Sequence, residues 1–395
     1  MKRILGILIL LAVVYVATWI MADWNYWFGD QRKAVFMTGY NQENLLRRTA
    51  LYGILGVGVA FVIITSGIDL SLGSMVCLIG VGVPWMIVGH GIPIILALLF
   101  VLLICLHIGF WHGMFASGLK FERKPATKIS IGYLLVAGLG IPGLLMMGGA
   151  SGRTIGFAIG AIVVGVCLIW YLLQAGVRLQ PFIVTLCGLL IFRGVTRGFT
   201  NDQTAGFGHK EFDGFRMFAT WELPVLPDFG LPAPLLIFAF VAVLAGIFLN
   251  RTIYGRYLFA LGNNEPAARF SGINTSFMTV LAYVICSVLA GLAGLLFSLD
   301  NNGGQPVDFG NFYELFGIAA AVLGGCSLRG GQGTILGVVI GTALIQLLRN
   351  MINLVFPKFQ NMEFAIIGVV ILVGVIADEI ARQTVARKRL AQRAT

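Results

Sequence analysis

Twelve long apolar runs leave this chain few ways to fold. They cover about residues 4–22, 48–65, 72–89, 92–118, 129–148, 155–175, 180–200, 234–250, 276–299, 313–327, 332–349 and 361–378. Most approach the roughly 20 residues that a helix needs to cross a bilayer. In hydrocarbon, backbone amides must find partners inside the protein, so the runs predict helices. Apolar residues make up 58% of the chain and charged residues only 11%. A soluble domain carries about 25% charged residues. The expectation is an all-α polytopic membrane protein, one domain over 1–395, with about 10–12 transmembrane helices. Two runs fit less well: 313–327 is short, and 129–148 is broken by Pro142 and several glycines.

The formal net charge is +10, which cytoplasmic loops explain better than nucleic-acid binding, since no basic run is interleaved with aromatics. Lys and Arg in loops set orientation. Twelve spans with both termini inside place Lys2, Arg3, Lys120, Arg123, Lys124, Lys128, Arg178, Arg251, Arg256, Arg269, Arg329, Arg382, Arg387, Lys388, Arg389 and Arg393 in the cytoplasm. The acidic loop 200–233 then lies outside, with Asp202, Glu211, Asp213, Glu222 and Asp228. The first external loop fits poorly, because it carries Arg32, Lys33, Arg47 and Arg48. The first run follows Lys2-Arg3 as a signal peptide would, but no small-residue cleavage site precedes Asp23, so it reads as an uncleaved span.

The cysteines Cys77, Cys105, Cys167, Cys187, Cys286 and Cys326 read as small buried hydrophobes, because none forms a C-x-x-C pair. His107 and His112 are five apart, off a common helix face, so no metal site is expected. Glycines recur every fourth residue at Gly109 and Gly113, at Gly152, Gly156 and Gly160, and at Gly337 and Gly341. Such spacing lets helix backbones approach closely in lipid.

Two polar breaks interrupt the apolar pattern. Gly67-Ile-Asp-Leu-Ser-Leu-Gly73, followed by Ser74, echoes Gly325-Cys-Ser-Leu-Arg-Gly-Gly331. Transporters are often built from repeats, with interrupted helices near the transport path. Asp69 reads either as the cap of a helix starting near Ser71 or as a functional carboxylate, and capping does not exclude function. Asp69 and Arg329 are candidates for a gate or a structural pair. A loop over 251–275 holds Glu265-Pro-Ala-Ala-Arg269, which reads as a short helix with Pro266 in its first turn and Gly272 as its stop. Arg193 and Arg197 share a helix face near the outer end of their span. Arg197 suits snorkelling to the interface, and Arg193, one turn deeper, suits a protein contact.

Gly67 to Ser74 resembles the signature of the ribose/xylose/galactose-type permeases of ATP-binding cassette (ABC) importers. Ala260 to Asn274 is similar to the ATPase-contacting loop of that family. Pro181 to Leu186, Arg193 to Thr196 with Thr200-Asn201, and Ala319 to Gly331 are further matches in the family's order. The resemblance covers about 40–118 and 180–380; residues 121–176 look like a two-segment insertion, and Arg329 stands where the family more often has a small residue. It implies a permease of the ABC importer fold with two subunits around a central path. A cytoplasmic ATPase would dock on Gly255, Arg256, Gly262, Asn264, Glu265, Pro266, Ala267, Ala268, Arg269 and Gly272. Gly67, Asp69, Ser71, Gly73, Ser74, Arg193, Asn201, Ser327 and Arg329 would line or gate the pathway. An extracytoplasmic sugar-binding protein would deliver the solute to the outer loops. No Gly-x-x-x-x-Gly-Lys-Ser/Thr loop is present, so ATP would be held by a separate chain. No catalytic cluster such as His-Glu-x-x-His occurs, so an enzyme is not expected, and no cofactor is implied. Rival readings are an ABC permease for a nucleoside or branched-chain amino acid, and an ion-coupled transporter, for which only Asp69 is a plausible mid-span carboxylate, since Glu314, Glu363 and Asp378 lie near segment ends.

Overall fold

The structure is a computed structural model and describes residues 2–28, 34–118, 178–208 and 212–370, with 372, 373 and 376. Among these, eight helices are long and apolar enough to cross a membrane. The two runs within 121–176, read from the sequence as an insertion, lie outside the described residues together with Cys167 and the glycines from Gly152 to Gly160. The last run is helical over 363–370, and its further course lies mostly outside them.

Helix α1 (Lys2–Ala22) and the short α2 (Trp24–Phe28) precede α3 (Gly39–Ile64), α4 (Leu72–Pro84, continued as one span by a π-helical turn over Trp85–Gly89) and α5 (Ile94–Ser117). Next come α6 (Pro181–Thr200), α7 (Asp213–Thr220), α8 (Ala233–Arg251), α9 (Ile253–Asn263) and α10 (Glu265–Phe270). Then follow α11 (Thr275–Asp300), α12 (Tyr313–Leu323) and α13 (Ile335–Val355), and a 3₁₀ turn over Pro357–Met362 leads into the last helical stretch. Two small antiparallel pairs qualify the all-α expectation: β1 (Ala205–Gly206) with β4 (Gly303–Gly304), and β2 (Glu222–Leu226) with β3 (Phe229–Pro232). They occupy polar links between spans, where strand edges can meet water.

Helix α3 is the axis of the bundle, buried from Thr49 to Ile64 and packed by α8, α11, α12 and α13. The second central helix, α11, lies against α5, α3 and α4. The glycine spacing explains the closest crossing. A Cβ on Gly109 would stand 2.5 Å from Val284 Cα, and one on Gly113 would strike the Val280 backbone, so α5 and α11 touch through bare backbone. Gly337 and Gly341 do the same for α13 against Gly324 and Ala320. Helix α1 is part of the bundle: it packs along α13, and Tyr15 donates to Gln42 Oε1 at 3.1 Å.

Run 313–327 appears as α12, an 11-residue helix of about 16 Å, too short to cross a bilayer. It ends at the second break as α3 ends at the first. In both, a residue in the left-handed region follows the helix: Ser66 at φ 65° and Gly325 at φ 91°. Gly67 N–H donates to Val62 O and Ser66 N–H to Ile63 O, each at 2.9 Å. Cys326 N–H donates to Ala321 O and Gly325 N–H to Val322 O, again each at 2.9 Å. This is the Schellman arrangement, which satisfies the last helical carbonyls. The echo is therefore structural, but Ser66, not Gly67, matches Gly325.

Candidate functional site

The first break must satisfy polar backbone inside an apolar bundle. Asp69 is fully buried, and its Oδ1 accepts from the Ser71 amide at 2.9 Å and the Ser71 hydroxyl at 2.7 Å. This is a turn built by the side chain two residues ahead, which delivers Ser71 to the N-cap position of α4. Asp69 thus supports the helix start through Ser71 and not as the cap itself. Its Oδ2 has no hydrogen-bond partner among the described residues. The Ile68 carbonyl accepts from Thr185 Oγ1 at 3.2 Å and from the Tyr283 hydroxyl at 3.3 Å. Ser74 Oγ donates back to Ser71 O at 2.7 Å. Gly73 lies under Glu314, whose buried carboxylate a Cβ there would strike. A second acid therefore enters this motif from α12, a helix whose sequence position does not announce it.

The second break is more open. Ser327 is buried, and its N–H donates to Gln332 O at 2.9 Å, while Leu328 and Arg329 are exposed. The two breaks meet. Ser66 Oγ donates to Arg329 O at 2.9 Å, and the Gly331 N–H donates to Ile64 O at 2.8 Å.

The 251–275 loop closes on the same junction. Asn263 Nδ2 donates to Gly331 O at 3.3 Å, and Ser66 Oγ also reaches Gly262 O at 3.3 Å. Gly262 faces Ile64 O and Gly331 N so closely that any Cβ would collide with both. Gly255 abuts the Leu249 backbone in the same way, folding α9 back on α8. Helix α10 forms where the sequence predicts it. Asn264 Oδ1 accepts from the Ala267 amide at 3.0 Å, Pro266 occupies the first turn, Ala268 is buried, and Gly272 at φ 82° ends it. Arg256 and Arg269 are exposed, and Phe270, next to Arg269 in the chain, is 94% exposed.

Glu265 is engaged within the chain. Arg178 Nη1 and Nη2 donate to its two carboxylate oxygens at 3.1 and 2.8 Å. Toward the other end of α6, Arg193 Nη1 donates to Pro306 O at 3.0 Å and Phe309 O at 2.7 Å. The protein contact expected of Arg193 is present, and its described partners are backbone carbonyls of one segment. Asn201 is exposed and ends α6 in the left-handed region at φ 50°. Arg197 forms a two-point pair with Asp202 at 2.7 and 2.8 Å, and that bonding holds the Asp202 carboxyl below its ordinary value.

Arg47, a misfit in the charge pattern, is also explained. It pairs with Glu222 of β2 and, at 3.3 Å, with Asp300 at the end of α11. Cys77, Cys105, Cys286 and Cys326 are buried as expected, whereas Cys187 is exposed on the apolar outer face of α6. Among the described residues no His, Cys, Asp or Glu cluster could hold a metal ion.

A family model described as the permease component of branched-chain amino acid transport systems matches residues 113–375. The chain belongs to this permease family. The ribose import permease protein of Escherichia coli (strain K12) is 33% identical over 344 residues, covering 87% of each chain. The xylose transport system permease protein of Haemophilus influenzae is 31% identical over 376 residues, covering 92% of this chain and 96% of that one. The ribose import permease protein of Bacillus subtilis is 31% identical over 345 residues. No solved structure matches significantly. The family consists of transport permeases, so this multi-pass permease moves a solute and is not an enzyme.

Sequence reasoning alone missed Ser66, Arg178, Thr185, Tyr283, Phe270 and Glu314. Thr185 and Phe270 sit within recognised motifs and Ser66 directly precedes one, so these three carried a signal. The others act on segments tens to hundreds of residues away, which no local pattern reports.

Proposed function

We propose that this permease is the membrane-spanning subunit of an ATP-driven monosaccharide importer in a bacterial inner membrane. It pairs with a second permease copy or a sister subunit. A cytoplasmic ATPase docks on α9–α10, and an extracytoplasmic binding protein delivers the sugar to the opposite face. The ribose and xylose permeases among its relatives support the cargo class. One observation carries the docking reading: α9 is joined through Gly262 and Asn263 to both polar breaks at once. A push on α10 therefore reaches both interrupted helix pairs through α9 alone. The surface available to a partner includes the exposed Arg256 of α9 and, on α10, the exposed Arg269 and Phe270. Arg178, Arg251, Arg256, Arg269 and Arg329 gather at this end, which supports a cytoplasmic placement and cytoplasmic termini.

The test is reconstitution with the ATPase and binding protein encoded beside it. Arg269→Glu should abolish ATP-driven sugar uptake while the protein still inserts. Full uptake by that variant would remove the docking assignment. Uptake of a nucleoside or a branched-chain amino acid in place of pentoses would overturn the cargo and leave the machine.

A further inference from the structure

We propose that Arg178 is a positioning residue that makes α6 a lever between the docking helix α10 and the segment 306–309, which packs against the start of α4. The inference rests on the docking reading of α10.

Arg178 stands three residues before α6 begins at Pro181. One guanidinium reaches two other elements. Its Nη atoms take both oxygens of Glu265, and its Nε donates to Ala116 O, in the last turn of α5, at 3.1 Å. Leu179 N–H donates to Phe115 O at 3.0 Å. A Cβ on Gly118 would lie 2.7 Å from Arg178 Cβ, so α5 and the start of α6 are in close contact here. The root of α6 is thereby fixed to α5 and to the first residue of α10. Only arginine can do this with one side chain, because its planar fork presents parallel donors to a carboxylate and a further N–H sideways.

Arg193 lies about 18 Å along α6 from Pro181. There the helix holds Pro306 O and Phe309 O, and Cys77 Sγ contacts the same Pro306 O at 3.5 Å. The next residue, Gly310, abuts the backbone of Gly73, and α12 then leads to the second break. The contacts form a closed circuit: α10, Arg178, α6, Arg193, 306–309, α12, second break, α9. Helix α10 cannot tilt without carrying α6 or parting Arg178 from Glu265. Both side chains of that pair are partly exposed, at 53% and 32%. Exposed pairs contribute little to stability. The pair therefore acts on coupling far more than on folding.

The experiment uses the complete reconstituted transporter and measures sugar uptake per ATP hydrolysed, ATPase retention and thermal stability. Arg178→Gln should lower uptake per ATP about fivefold or more, with the ATPase bound and the melting temperature unchanged. Arg178→Lys, which can keep only part of the contact set, should fall between. The exchange Arg178→Glu with Glu265→Arg should recover most of the loss, which a merely structural defect at either site would not. Wild-type uptake per ATP in Arg178→Gln, or an exchange no better than the single variants, would overturn the lever. Phe270→Ala separates the two readings. If it releases the ATPase while Arg178→Gln is silent, only the lever fails. If it leaves the ATPase fully bound and coupled, the docking reading and the lever fall together.

Discussion

The two polar breaks begin with one backbone solution and continue in opposite ways. Each opens with a left-handed residue and a pair of hydrogen bonds that close a helix end. The first then turns inward: Asp69 is buried, and Thr185 and Tyr283 come from other helices to satisfy the Ile68 carbonyl. The second turns outward, with Leu328 and Arg329 exposed. The cap arises from the need to satisfy terminal carbonyls wherever a helix ends. The course of the chain beyond the cap depends on its surroundings, since a break enclosed by helices must bring its own partners and a break at the surface can use water. The two pieces are joined by the 251–275 loop, so disturbing the joint should exceed disturbing either break.

Gly262→Val should accordingly have the largest effect. The new side chain would collide with Ile64 O and Gly331 N, the two atoms whose hydrogen bond fastens one break to the other. Overpacking of this kind costs about 3 kcal/mol. We expect little folded protein in the membrane and no uptake; normal expression with normal uptake would mean that the breaks need not be joined.

Asp69 tests the inward break alone. Asp69→Leu removes the acceptor of two bonds from Ser71 and should cost about 2 kcal/mol. Asp69→Asn keeps an acceptor oxygen and should cost far less, so thermal melts of the two variants report the turn. Uptake reports the charge. If Asp69→Asn melts and transports as the parent does, the carboxylate serves only the turn.

These contrasts also explain what the sequence could reveal. The spans were legible because lipid forces a whole run into one conformation, and eight of the runs appear as crossing helices among the described residues. The short helix Glu265–Phe270 was legible from Pro266 and Gly272, whose chemistry is local. The echo between the breaks was visible but off by one, because residue identity aligned Gly67 with Gly325 while the backbone aligns Ser66 with it. The pairs of Arg47 with Glu222 and Asp300, and of Arg178 with Glu265, were not legible. Their partners are 87 to 253 residues apart and meet only once the helices pack.

The outward break should be softer. Gly325→Ala meets no atom within 4 Å, so its cost is the left-handed backbone alone, about 1 kcal/mol. A modest fall in melting temperature with uptake retained is the expected result. A loss as large as that of Asp69→Leu would show that the second break is as constrained as the first.

Ser66 gives the smallest and most discriminating effect, because two terms oppose each other there. Its left-handed backbone is strained for a residue with a side chain. Its hydroxyl in return joins the breaks by donating to Arg329 O. Ser66→Ala keeps the strain and loses the bond, which at this exposed position should cost about 0.5 kcal/mol. Ser66→Gly loses the same bond but relieves the backbone, so its stability should match or exceed that of the parent. Uptake then separates the two roles of the residue. If the bond only steadies the fold, Ser66→Gly transports normally. If the bond carries movement between the breaks, both variants lose uptake although only one loses stability.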